Sequence, residues 1–157
     1  MRIPKVYLET TVFNFCFADD APEKKKDTLK LFEEIREGKY EPYTSNAVLV
    51  ELAKDAEPKR GQMLALIETH NVGVLPAHAD ELRLARIYVA EGVIPGKYAT
   101  DALHIASTTV NDLDFIVSCN FKHIVKRKTI MMTESINLRE GYKRIGIFSP
   151  TEVIENE

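Results

Sequence analysis

TDALHIASTTVNDLDFIVSCNFKHI, residues 100–124, sets a helix pattern and a strand pattern back to back, each flanked by a polar residue that core packing does not require. Ala102, Ile105, Ala106 and Thr109 recur at the three- and four-residue spacing of one helical face. Thr100 can cap that helix, which puts Asp101 in its first turn, near the positive end of the helix dipole. Phe115 to Ser118 reads as a buried strand, and Asn120 lies just beyond its end. An acid entering a helix and an amide leaving a strand either cap secondary structure or face a ligand.

The same alternation runs outward in both directions. Val6-Tyr7-Leu8 reads as a first strand and Glu9-Thr10-Thr11 as its exit loop. Asp27 opens a helix in which Leu31, Phe32 and Ile35 share a face and which Gly38 closes; Lys24-Lys25-Lys26, set among Asp19, Asp20, Glu23 and Asp27, reads as a solvated loop leading into it. Tyr40 to Thr44, broken by Pro42, suits a brief edge strand, and Ser45 and Asn46 cap a helix through Lys54 that contains Glu51. Pro58 fits the first turn of another helix, with Met63, Leu66, Ile67 and His70 along one stripe, before an extended piece from Val72 to Leu75. A helix from about Asp80 to Glu91 turns Leu82, Ala85 and Val89 inward, Gly92 closes it, and Val93 to Lys97 form a loop. Beyond the opening stretch come a short helix near Glu134 to Glu140, a strand from Ile145 to Phe148 and a turn at Ser149-Pro150. Strands alternating with helices predict an α/β fold of three layers, α/β/α, around a mostly parallel sheet of roughly five strands.

A chain of 157 residues, 45% of them hydrophobic, suits one domain with a full core, spanning 1–157. No apolar run approaches the roughly 18 residues of a spanning helix, and the first residues lack a basic-then-apolar leader, so a cytoplasmic protein without a membrane role is expected. Cys16 and Cys119 match neither a disulfide framework nor a metal knuckle and read as reduced thiols. A net charge of −3 gives no broad positive field, so any nucleic-acid contact must be local. Lys122, His123 and Lys126, in the basic run from Lys122 to Lys128, are the candidates for phosphates, although short charge runs are more often solvated surface.

In parallel sheets ligands gather outside the carboxyl ends of the strands. Glu9 and Asn120 occupy that edge, and helices leaving it can bring Asp101 and Glu51 to the same place. Singly, each has a bland role: a loop acid, a helix-surface acid, a dipole-compensating acid and a turn amide. Jointly they are harder to dismiss, because Glu51 is embedded in Ala47-Val48-Leu49-Val50-Glu51-Leu52-Ala53 and Asp101 adjoins Ala102-Leu103, where an unpaired carboxylate is costly. A shared cation removes that cost, and oxygen ligands select Mg²⁺ or Mn²⁺ rather than zinc. Without metal, at least one clustered carboxyl is expected to titrate high.

The pattern resembles the PIN-domain nucleases, including the VapC-like toxins of prokaryotic toxin–antitoxin pairs. Tyr7-Leu8-Glu9-Thr10-Thr11 is similar to the family's strand, acid and two hydroxyl residues; Val50-Glu51-Leu52 to its helical glutamate; Thr100-Asp101-Ala102-Leu103-His104-Ile105-Ala106 to its third acidic motif; and Val117-Ser118-Cys119-Asn120 to its fourth, a hydroxyl residue two positions before an acid. The resemblance covers nearly the whole chain. It implies a metal-dependent endoribonuclease cutting single-stranded RNA, with Glu9, Glu51 and Asp101 as metal ligands and Asn120 as a weaker, water-mediated participant. Thr10, Thr11 and Ser118 would orient ligands or a phosphate, or else satisfy loop backbone groups. Lys122, His123 and Lys126 would take flanking phosphates, and a base would stack on Phe121 or Tyr98. It further implies a homodimer and a small antitoxin partner.

Two departures stand out. Glu9 replaces the usual aspartate and moves its carboxylate by on the order of 1.5 Å, which Mg²⁺ tolerates poorly, so Mn²⁺ suits the site better. Asn120 replaces an acid and offers a neutral oxygen. They motivate a rival, a catalytically weak member of the fold that binds RNA or protein. A second rival is a receiver-like Mg²⁺-binding signalling module; a dinucleotide-binding domain is disfavoured because no glycine-rich loop follows the first strand. His104, three residues after Asp101, reads first as a hydrogen-bonded packing histidine and second as a site neighbour.

Overall fold

Lys5–Leu8 forms β1, whose Val6, Tyr7 and Leu8 are fully buried, so this strand is covered on both faces. In this computed structural model, which describes residues 2–155, the chain continues through α1 (Thr10–Phe15), α2 (Pro22–Arg36), β2 (Glu41–Ser45), α3 (Asn46–Leu52), α4 (Lys59–Thr69), β3 (Gly73–Leu75) and α5 (Ala79–Ala90). A 3₁₀ turn (Gly96–Tyr98) then leads into α6 (Ala99–Val110), β4 (Phe115–Val117), α7 (Arg127–Arg139), β5 (Gly146–Phe148) and α8 (Pro150–Val153). The five strands pair in parallel in the order β3-β2-β1-β4-β5, with Tyr7 opposite Tyr43 on one side and Ile116 on the other. The predicted α/β architecture with a parallel five-stranded sheet is therefore present. With this strand order the right-handed crossover rule puts α1 to α4 on one face and α5 to α7 on the other, in keeping with the packing of α1 on α3 and α4 and of α5 on α6. Gly38 and Gly92 end α2 and α5 at φ +84 and +82, the left-handed cap that favours glycine.

Several local expectations are corrected. Thr10 and Thr11 are not loop: they begin α1, because Glu9 accepts the Thr11 backbone N–H and caps the helix directly off the strand. Lys24-Lys25-Lys26 lies inside α2, which starts earlier at Pro22, a residue suited to a first helical turn. β2 is not an edge strand; Pro42 is tolerated because the pairing with β3 begins only at Tyr43, leaving its nitrogen side unpaired there. In α5 it is Leu84, Ala85 and Tyr88 that face inward, whereas Leu82 is exposed. α6 begins at Ala99 with Tyr98 as its cap, and Asp101 falls in its first turn as expected. α7 starts at Arg127 rather than near Glu134, so the basic run divides between a turn and a helix start, and the tail at Ser149-Pro150 is a capped short helix rather than a turn. Both cysteines are free and buried, and burial pushes the Cys119 thiol up to about 11. Among the described residues no helix is long and apolar enough to cross a membrane.

Candidate active site

The strand order reverses direction between β1 and β4, and in open parallel sheets the crevice outside that switch point is where ligands bind. Glu9 leaves β1 and Ser118 to Asn120 leave β4 on its two sides, with the Glu9 N–H bonded to the Val117 carbonyl at 3.2 Å. Glu9 is 2% exposed. Its Oε1 accepts from the Thr11 N–H (3.2 Å), the Thr11 hydroxyl (2.5 Å) and the Ser118 hydroxyl (2.6 Å). The Thr11 hydroxyl in turn accepts the Cys119 N–H at 2.7 Å, and the Ser118 hydroxyl accepts the Asn120 N–H at 2.9 Å. Thr11 and Ser118 thus lock α1 to the exit of β4 through one carboxylate oxygen.

Glu51 reaches the same region from α3. Its Oε1 accepts from the Thr10 hydroxyl at 2.5 Å and from His104 Nε2 at 2.7 Å. His104 is completely buried on α6, and its Nδ1 lies 2.7 Å from the Tyr7 hydroxyl, which lies 2.6 Å from the Ser45 hydroxyl. A protonated His104 donates from both nitrogens, to Tyr7 and to Glu51, and the Tyr7 hydroxyl then donates to the Ser45 oxygen. Asp101, one turn earlier on α6, is held by the Asn120 side-chain N–H, 3.2 Å from its Oδ2. Asn120 Oδ1 accepts the His123 backbone N–H at 3.0 Å, so the amide presents nitrogen, not oxygen, to Asp101.

Electrostatics follow from this packing. Burial raises the Glu9 carboxyl above its ordinary range, against the opposing pull of His104 and the Ser118 and Thr11 donors. Burial likewise raises Asp101, opposed by His104 and Asn120 and reinforced by Glu51. The expected high-titrating carboxyl is therefore present, with desolvation as its main cause rather than mutual repulsion. Burial also pushes Glu51 up, but the His104 hydrogen bond and charge, with Thr10, outweigh it and hold Glu51 low. Burial pushes His104 down; the Glu51 hydrogen bond and the charges of Glu9, Glu51 and Asp101 reverse that and raise it. The three acids thus favour the protonated form of His104.

Among the described residues, each carboxylate is tethered by one oxygen while Glu9 Oε2, Glu51 Oε2 and Asp101 Oδ1 accept no hydrogen bond. No group of three or more His, Cys, Asp or Glu among the described residues is arranged to hold a metal ion. An all-protein cage is thus not built. The donor set instead fits a hard ion that keeps most of its water and takes one or two carboxylates, the habit of Mg²⁺. The N-terminus of α1 is capped from within: Glu9 takes the Thr11 N–H that a phosphate would take in a dinucleotide fold.

Of the residues singled out in the sequence, Glu9, Thr11, Ser118, Asn120 and Asp101 form one hydrogen-bonded network and Thr10 and Glu51 a second, and the charge of His104 acts on the acids of both. Lys122 and Lys126 are exposed just beyond Asn120 in the chain, and Lys126 precedes α7. His123 is half-buried, with its ring 4.1 Å from that of Tyr98. Tyr7 and Ser45 were missed. A tyrosine in a fully apolar strand carries the available signal, since a buried phenol needs a hydrogen-bond partner.

No protein-family model matches the chain, and no curated protein matches it. What fold and site define together is a parallel α/β domain with an acidic cluster at its switch point, one of whose carboxylates is held by a buried histidine.

Proposed function

We propose that the chain is a metal-dependent endoribonuclease cutting single-stranded regions of RNA. The observation that carries this reading is the tethering pattern, in which three carboxylates at the β1/β4 switch point each spend one oxygen on a side-chain donor and keep the other free. Such support fixes ligand orientation before the ion arrives. One or two of Glu9, Glu51 and Asp101 would ligate Mg²⁺ or Mn²⁺ directly, and the remainder would act on its water shell. When bound, the ion supplies an activated water and offsets charge on the phosphoryl oxygens. Attack in line forms the bond from water oxygen to phosphorus and breaks the bond to the leaving sugar oxygen. Glu51, kept ionised by His104, positions that water or ligates the ion, while Lys122 and Lys126 neutralise flanking phosphates. The resemblance to PIN-domain nucleases extends the reading to a toxin of a toxin–antitoxin pair, a homodimer blocked by a small antitoxin; that extension rests on the motifs alone.

A second reading, a catalytically weak PIN-like domain that binds RNA or protein, is favoured by Asn120 turning its nitrogen to Asp101. The receiver arrangement is not: receivers share the flavodoxin-like order 2-1-3-4-5, which differs from the one observed. The test is cleavage of a mixed single-stranded RNA pool with Mn²⁺, Mg²⁺ or chelator, run beside Asp101→Asn. Cutting should require metal and fall on the order of 10³-fold in the variant, whose far-ultraviolet circular dichroism stays unchanged. Equal cutting by both proteins, or cutting in chelator, would sink the nuclease reading; binding of RNA without cutting would select the second.

A further inference from the structure

Resting on the endoribonuclease reading, we propose that Phe121 is the platform on which one base of the single-stranded RNA stacks, with Lys24 taking the adjoining phosphate. Phe121 is 46% exposed and directly follows Asn120, whose side chain donates to Asp101. The Lys24 ammonium lies 5.1 Å from the Phe121 ring centroid and 5.3 Å from that of Phe15. Phe15 ends α1, the six-residue helix that Glu9 begins, which spans about 9 Å. The cation and both rings therefore sit within a nucleotide or two of the free carboxylate oxygens.

Charge placement supports the same reading. Lys24 has Asp19, Glu23 and Asp27 nearby in sequence, yet Asp19 pairs with Lys25, and among the described residues Lys24 pairs with no carboxylate. Its charge is parked over two aromatic faces, the arrangement that a base can displace and a phosphate can recruit. The other aromatic near the pocket is less open. Tyr98 already lies against the His123 ring at 4.1 Å and has Lys97 5.7 Å from its centroid. Other exposed apolar side chains, such as Met131 and Leu138, have no ring to offer.

Binding of a fluorescently labelled single-stranded RNA of mixed sequence, about 12 nucleotides long, is measured in chelator so that no cutting occurs. Phe121→Leu keeps the volume and removes the ring; Phe121→Tyr keeps the ring. The leucine variant should bind about 5- to 100-fold more weakly, and the tyrosine variant should match the wild type. A duplex of the same composition, whose bases are already stacked, should bind all three alike. Lys24→Gln should lower the slope of log Kd against log salt by about 0.7, the loss of one phosphate contact on a single strand. A 2-aminopurine base in the same RNA should be quenched by the wild type and not by Phe121→Leu, a readout independent of affinity. Unchanged single-strand affinity in Phe121→Leu, or an equal loss for the duplex, overturns the platform. Wild-type cleavage with Mn²⁺, run in parallel, separates the failures: cutting with an indifferent Phe121 removes the platform alone, whereas neither binding nor cutting removes the nuclease reading with it.

Discussion

Two buried polar networks hang from opposite ends of α6, and they differ in what they leave over. Near its C-terminal end, Thr109, Tyr88 and Asn137 form a neutral triangle: the Asn137 side-chain N–H donates to the Thr109 hydroxyl at 3.1 Å, the Tyr88 hydroxyl lies 3.3 Å from it, and Tyr88 also donates to Asn137 Oδ1. The Thr109 hydroxyl spends its own proton on the Ile105 carbonyl, and no charge is left over. Near the N-terminal end, Ser45, Tyr7, His104, Glu51 and Thr10 form a chain just as buried at its root, but it ends on a carboxylate with a free oxygen, beside two more of the same kind. Buried polarity by itself ties helices together. A tethered charge with an unspent lone pair at a sheet's switch point does something further.

The comparison breaks most sharply at His104. His104→Leu removes one of the two donors to Glu51 Oε1, leaves Tyr7 with Ser45 alone and deletes the ring whose protonated form the three acids favour. Cleavage with saturating Mn²⁺ should fall about 10- to 100-fold, as for other residues that support a metal ligand, and urea unfolding should show a loss of roughly 1–3 kcal/mol. Asn137→Leu should cost a similar 1–3 kcal/mol through the stranded Tyr88 and Thr109 groups while leaving cleavage within about twofold. If Asn137→Leu depresses cleavage as deeply as His104→Leu, the two networks do not differ in function.

Much of this contrast could be read from the sequence, and the limits are physical. Short apolar runs and helical spacing located all five strands, with Glu9 and Asn120 just past the ends of two of them, because alternation of β and α leaves little freedom in a parallel sheet. What the pattern lacked was direction. Asp101 and His104 share a helical face by spacing, but only the packing of α6 against β1 brings His104 to Tyr7, more than ninety residues earlier. Likewise nothing in Glu9-Thr10-Thr11 distinguishes a loop from a helix start until Glu9 is seen capping its own helix. The lysine run misled because charge marks solvent exposure, and an exposed helical face is as charged as a loop.

Proton and metal compete for the acidic network but have no counterpart in the neutral one, so pH sharpens the comparison at smaller amplitude. Glu9, Asp101 and His104 are raised from ordinary values of 4.5, 3.8 and 6.5, which means the folded chain holds those protons more tightly than the unfolded one. Each contributes stability below its unfolded value and loses it as pH rises through its folded value. Glu51, lowered from 4.5, acts oppositely and loses its contribution only as pH falls through its lowered value. In chelator the melting temperature should therefore decline as pH climbs above 4.5 and again above 6.5, and Mn²⁺ should recover a few degrees at the alkaline end and little at the acid end. Equal stabilisation by Mn²⁺ at both ends would mean the ion does not replace those protons.

The finest distinction lies at Asn120, which belongs half to structure and half to the pocket. Its Oδ1 accepts the His123 N–H at 3.0 Å, a turn-forming bond that an aspartate oxygen also makes. Its nitrogen donates to Asp101 across 3.2 Å, and Asn120→Asp replaces that donor with a second anionic oxygen facing Asp101. Without metal the substitution should cost about 1 kcal/mol and raise the Asp101 carboxyl further; with Mn²⁺ the added charge should tighten the ion and raise cleavage. The quantity to measure is the melting temperature in Mn²⁺ minus that in chelator, compared between variant and wild type. A general weakening of the fold lowers both terms and cancels, whereas a carboxylate turned toward an ion lowers one and lifts the other. A widened difference assigns the Asn120 side chain to the metal-facing side of the pocket; an unchanged difference with a tenfold loss of cleavage returns it to the turn.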